Sequence, residues 1–416
     1  MTDSKPSSSH LTRRELILKS APLAFGASSV GLGLMSLSQA ALAQTDTFKV
    51  GWIRAMTGPL ASTFEGYYYA ADIALEEINN AGGIMGRKVV KVEVDDQGSP
   101  ANEPLAMRKL ADDGVKFVLG PVGSSQALAA FEVGSGRKML QSTYATADEV
   151  GDGTRFPYHY QCASPGNAQV QRHIEYLVAL GVKKVGILTE DSAAGASVRA
   201  SIQKEAPARG LTVVSDQVFP LRTADMTPFL RKLKNDGAEA LDTHLSNLND
   251  MTQFRVGMER LGWKPTIVGG AGLLLTAGND TLQKLHNDVY AATYRALTYT
   301  DKATPPQRVR DFVTKLMRRD VPASVMAAAV TSPFYDFLHS LKFAVEKSKS
   351  FEPDAVKAVF DSGADLNGLF GRLTFSPTRH FGYGADVMAM ARVNSDDDQM
   401  SKDSKGVFRR LGPAVT

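Results

Sequence analysis

Short apolar runs alternate with amphipathic stretches from Phe48 onward. Lys49–Ile53 reads as a strand closed by Thr57-Gly58-Pro59. Gly66–Ile78 carries Tyr69, Ile73, Leu75 and Ile78 at helical spacing, with Glu76 and Glu77 outside, and Asn79 to Gly83 supplies the Asn and Gly that end helices. Strand Val89–Val94, helix Pro100–Asp113, strand 116–119, a helix from Ser124 and strand Met139–Ser142 follow. A loop at 151–165 opens a second block. Its pattern is helix 166–180, strand 184–188, helix 195–209, strand 211–219, helix 226–235, strand 238–243, helix 250–261 and strand 266–268. Such alternation predicts an α/β chain with parallel sheets covered by helices on both faces.

Beyond Asp288 the rhythm changes. The pattern predicts a strand over 290–297, helices over 307–319, around 334–347 and over 354–361, strands over 371–375 and 384–393, and a charged hairpin tip or frayed tail at 396–405. These pieces are too few for a third α/β domain. They are expected to complete the first two blocks, the chain crossing between lobes more than once.

One segment stands out for its chemistry. Phe117-Val-Leu119 reads as a buried strand broken at Gly120-Pro121, and Ser124-Ser125 opens an Ala-rich helix. A serine there reads as the N-cap, and the free N–H groups and dipole of the helix end can hold an anion such as a carboxylate. Ligands of open α/β sheets bind at the carboxyl ends of strands, where this segment falls.

Charge narrows the field. The chain has 47 Lys and Arg against 44 Asp and Glu, and no basic cluster outside the first residues, which argues against nucleic acid. Thr12-Arg13-Arg14-Glu15-Leu16-Ile17 is a twin-arginine pattern, followed by a moderately hydrophobic run to Leu42 and an Ala41-Leu42-Ala43 cleavage pattern. Residues 1–43 are therefore expected to be a signal for the twin-arginine export machinery, cleaved after Ala43, with the remainder periplasmic. The one cysteine, Cys162, permits neither an internal disulfide nor a cysteine-based zinc site. Six histidines beyond the signal form no local ligand pair, though His244 and His380 fall at expected strand ends near a cleft. No nucleophile elbow, P-loop or zincin motif is present, and proline replaces a dinucleotide-site glycine in Arg54-Ala-Met-Thr-Gly-Pro59. Neither enzyme chemistry nor a metal or cofactor is expected.

Several motifs resemble one family. They are Val50-Gly-Trp-Ile-Arg-Ala-Met-Thr-Gly-Pro-Leu60, Ala74-Leu-Glu-Glu-Ile-Asn-Asn-Ala-Gly-Gly-Ile-Met-Gly86, Val94-Asp-Asp-Gln97, Phe117 to Ser125, Asp225-Met-Thr-Pro-Phe229 and Leu261-Gly-Trp263. Over about residues 48–395 the chain is similar to the leucine/isoleucine/valine-binding family of periplasmic solute-binding proteins that serve ABC importers. The resemblance implies two Rossmann-like lobes, 46–162 with 295–376 and 163–294 with 377–412. Three crossovers near 162–165, 292–297 and 376–380 would join them, and hinge closure would trap a small solute. It also implies docking to ABC permease subunits, and the chain is expected to be a monomer.

In that family a serine and a threonine hold the ligand carboxylate. The matching positions are Ser124 and Thr146, with Gly123, Tyr144 and Ala145 beside them, and Ser62 and Thr63 line the cleft. Arg54 could assist a carboxylate. The second-lobe positions, Ala194, Asn247 and Ala271, carry neither the family's aromatics nor the glutamate that pairs with a ligand ammonium. An ammonium buried without a counter-charge is costly, so an aromatic or aliphatic acid is expected rather than an α-amino acid. A branched-chain or other hydrophobic amino acid, or an amide, is the alternative ligand, and a ligand-sensing receptor module the alternative role.

Overall fold

A computed structural model describes residues 47–276, 288–394 and 398–413. Four parallel strands, β1 (Phe48–Arg54), β2 (Val89–Asp95), β3 (Phe117–Val122) and β4 (Leu140–Tyr144), form the first sheet in the order β2-β1-β3-β4. A second sheet holds β5 (Lys184–Glu190), β6 (Thr212–Phe219), β7 (Ala240–His244), β8 (Thr266–Gly269), β9 (Val289–Tyr294) and β11 (Met388–Arg392). Its order is β11-β9-β8-β7-β5-β6, and only β11 runs antiparallel, against β9. The two-residue strands β10 (Thr298–Tyr299) and β12 (Arg409–Arg410) pair with each other.

Helices cover these sheets because their apolar stripes match the strands' buried faces. Helix α2 (Gly66–Asn80) buries Tyr67, Ala70, Ala71, Ile73, Ala74 and Ile78, and against it pack the helices Ala323–Thr331 and Pro333–Ser348. The chain thus leaves the first sheet after β4, returns to it after β10, and leaves again for β11. Three crossings result. Two of them lie side by side: Gln161 N–H donates to His380 O at 2.9 Å and Gly382 N–H to Gln161 O at 2.8 Å. The Tyr294 ring, at the third, stacks on Phe370 with centroids 3.9 Å apart.

The structure departs from expectation at four places. Strand β3 does not stop at Gly120-Pro121 but shifts register there and continues to Val122. The single helix expected around 334–347 is preceded by another, because Ser332 accepts from Phe334 N–H at 3.3 Å and Pro333 starts a new helix. Residues 371–375 form no strand; their backbone bonds to loops instead, Leu366 N–H to Leu373 O and Thr374 N–H to Gly382 O. The tail folds as a short helix, Gln399–Asp403. The expected export signal lies outside the described residues.

A buried acid sits behind the loop that follows β2. Glu103, opening helix α3 (Glu103–Asp112), is 0% exposed and shares a side-chain hydrogen bond with the neighbouring carboxyl of Asp96. Burial, then the neighbouring Asp96 charge, pushes its pKa from 4.5 to about 10. A raised folded pKa favours the protonated native state, so stability falls as pH rises between those two values. At pH 7 the unfolded chain gains about 3 kcal/mol by ionising this group. Glu103→Gln, neutral at every pH, should lose less stability than the wild type between pH 5 and pH 9 in thermal denaturation. Parallel curves for the two proteins would contradict this.

Candidate functional site

A cavity of about 370 Å³ lies at the carboxyl ends of the strands, between the loops of the two sheets. Its first wall is the β3-to-α4 turn, where α4 is Ser124–Gly136. Gly123 occupies the N-cap position at φ +107°, and a Cβ there would fall 2.3 Å from Gln126 Oε1. Only glycine fits without strain. The Gln126 amide in turn donates to Gly98 O at 2.8 Å, fixing the Gly98–Pro100 edge of the cavity.

Ser124 is not the helix cap that its position suggested. It stands inside the first turn, and its Oγ accepts from Thr146 N–H at 3.0 Å and Ala147 N–H at 3.1 Å. The hydroxyl has one hydrogen left to donate. Backbone N–H groups of Ser124, Ser125 and Gln126 have no acceptor among the described residues. The turn therefore offers up to four donors at the positive end of a helix. Thr146 and Ala145 line the same wall. Tyr144 stacks on Tyr67, centroids 4.4 Å apart, and with Leu60 and Phe64 these rings make an apolar floor.

The opposite wall is polar and acidic. Glu190 ends β5 with its side chain 2% exposed. It accepts from Ser192 Oγ at 2.9 Å, Ser246 N–H at 3.0 Å and Ser246 Oγ at 2.7 Å. Ser192 also caps helix α6 (Ala193–Ala208), accepting from Gly195 N–H at 3.0 Å. His244, at the end of β7, faces Glu190, and burial holds its imidazole below the ordinary pKa despite the opposing pull of that carboxylate. Asp191, Gln169, Leu221 and the Gly270–Gly272 turn complete this side. No lysine or arginine lines the cavity among the described residues.

The two walls already touch. Ala193 N–H donates to Ser125 Oγ at 3.2 Å. Asp148, beyond β4, donates its N–H to Ser197 Oγ at 3.0 Å and accepts from Asn167 N–H at 2.9 Å.

Gly123, Ser124, Tyr144, Ala145, Thr146, Ala194 and Ala271 are thus brought together around one cavity. Four other expected residues are not. The segment after β1 forms a helical turn, Ala61–Phe64, whose Leu60 and Phe64 reach the cavity while Ser62 is exposed and Thr63 buried elsewhere. Arg54 pairs with Glu93 at 2.9 Å and lies over the Tyr68 ring. Asn247 caps helix α8 (Leu248–Leu261), accepting from Asp250 N–H at 3.0 Å and donating to Asp250 Oδ2 at 2.6 Å. Glu190 was missed although it ends an apolar strand. The acid absent at Ala271 is present in the cavity from another strand.

Residues 47–399 match the family model for periplasmic binding proteins. The chain belongs to that family. It is a solute-binding protein of the Leu/Ile/Val-binding type and not an enzyme. "Leu/Ile/Val-binding protein homolog 8" of Brucella suis biovar 1 is 29% identical over 350 residues, covering 80% of this chain and 84% of that one. The fold is similar to that of the substrate-binding protein LivJ of Streptococcus pneumoniae, solved with isoleucine, at TM-score 0.69 and 20% identity over 83% of this chain and 95% of that one. A solute-binding protein from R. palustris, solved with 4-hydroxybenzoate, gives TM-score 0.73 and 18% identity over 83% and 93%. The family implies a periplasmic or extracellular protein, and among the described residues no helix is long and apolar enough to cross a membrane.

Ser124→Ala should lower the melting temperature of the ligand-free protein, because the Thr146 and Ala147 N–H groups lose their acceptor at a cost of about 1–3 kcal/mol. Ser125→Ala, which removes only the contact to Ala193, should leave it nearly unchanged. Equal melting temperatures for the two variants would show that Ser124 does not hold the 146–147 loop.

Proposed function

We propose that the chain captures a small monocarboxylate with an apolar body and hands it to ABC permease subunits. The observation that carries this reading is the α4 end, where three free N–H groups and the Ser124 hydroxyl converge on a cavity wall. Tyr67, Tyr144, Phe64 and Leu60 supply the apolar surface beside it. Glu190 and Asp191 on the far wall would repel a second carboxylate. Aromatic and aliphatic acids fit these requirements, and closure of the walls over the solute is the whole mechanism. No bond is made or broken.

A hydrophobic α-amino acid is the second reading, favoured by Glu190, which gives the cavity an acid that Ala271 does not. We further propose that residues 1–43 direct export through the twin-arginine machinery, that cleavage follows Ala43, and that the lobes are 46–162 with 295–376 and 163–294 with 377–412. Replacing Arg13 and Arg14 by lysine should leave the protein in the cytoplasm; periplasmic recovery of that variant would remove the export route.

Mass spectrometry of small molecules released from natively purified protein separates the two ligand readings, a recovered α-amino acid favouring the second. In calorimetry, monocarboxylates should bind and raise the melting temperature saturably, while dicarboxylates should not. Thr146→Val and Ser124→Ala should each weaken binding by about tenfold, the loss of one good hydrogen bond to a charged group. Unchanged affinity in both would take the carboxylate away from this wall.

A further inference from the structure

Resting on the reading of the α4 end as the carboxylate site, we propose that Glu190 and His244 form a subsite for a hydroxyl group at the solute's far end. The transported class is then a monocarboxylate carrying a hydroxyl remote from its carboxylate. The two carboxylate oxygens of Glu190 are held by Ser192 and Ser246, which fixes the group rigidly at the end of β5. His244 Nε2 stands 3.8 Å from Glu190 Oε1, too far for a hydrogen bond, and it is buried without a partner. An atom about 2.8 Å from each would bridge the gap.

A hydroxyl suits that gap because it both donates and accepts. It can donate its one hydrogen to Glu190 while accepting from His244 Nε2–H or, in the other tautomer, donate to the ring instead of to Glu190. An ammonium only donates, so it pairs with His244 in one tautomer alone. A methyl or ring C–H leaves His244 Nε2 buried without a partner, an arrangement that discriminates against an analogue lacking the hydroxyl. Burial lowers the imidazole's pKa, which disfavours a charged ring beside that partner. Ala194 and Ala271, both small, leave the far wall open to such a group.

The test is calorimetry on the mature chain with matched pairs of different length. The pairs are 4-hydroxybenzoate with benzoate, 4-hydroxyphenylacetate with phenylacetate, and 6-hydroxyhexanoate with hexanoate; 4-(aminomethyl)benzoate serves as the cationic arm. At least one hydroxy acid should bind about 10- to 100-fold more tightly than its partner. That advantage should shrink to about threefold or less in His244→Phe and fall in Glu190→Gln. Melting curves of the free variants show whether they fold; if either does not, the wild-type pairs alone decide. Equal binding within every pair, with Ser124→Ala still weakening all of them, would overturn the hydroxyl subsite and leave the carboxylate site standing. Tighter binding of 4-(aminomethyl)benzoate than of 4-hydroxybenzoate would overturn it in favour of a cation. Failure of every acid to bind would overturn the carboxylate reading, and the subsite with it.

Discussion

The cavity depends on one arrangement, the Ser124 hydroxyl accepting two backbone N–H groups from the loop after β4. A serine that capped its own helix would spend its oxygen on the N–H groups of α4. Here Gly123 makes the turn without a side chain, so the helix keeps its first three N–H groups and the serine ties a neighbouring loop to it. Tyr144, Ala145 and Thr146 are thereby held against the helix end. Donors concentrated at a helix terminus are an anion site that costs no buried cation.

Electrostatics then divide the cavity. With no lysine or arginine on its lining, an anion is favoured only where the helix end points, and disfavoured near Glu190 and Asp191. Glu190 tolerates its burial because three donors from Ser192 and Ser246 replace the water it lost. The same serines belong to the starts of the segments that follow β5 and β7, so the acid's environment is built from the fold's own strand-to-helix turns. Contacts such as Ala193 to Ser125 bring the polar wall against the donor wall, so small opening or closing motions change the surroundings of both at once.

Legibility varied with the range of the cause. Strand and helix order followed from local periodicity, and the Ser332-Pro333 restart was readable in the same terms, although a single helix was expected there. The 371–375 segment misled because its alternation is satisfied by loops near the crossings rather than by a ladder. Ser124, Tyr144 and Thr146 were recoverable from a family resemblance, but not the way the serine is used. Arg54 looked available until Glu93, on the paired strand, was found beside it.

The sequence by itself determined the alternating α/β architecture and the donor-rich turn at 123–126. Each follows from residue types within a few positions of one another. Only the tertiary structure decided which side chains remain free to meet a solute. Glu190 and His244 come from strands far apart in the chain that pair with each other in the sheet, while Asn247 is consumed by its own helix and Ser62 is turned outward. Hydrogen-bond partners across such separations are fixed by sheet order and register, and no local pattern in the chain encodes them.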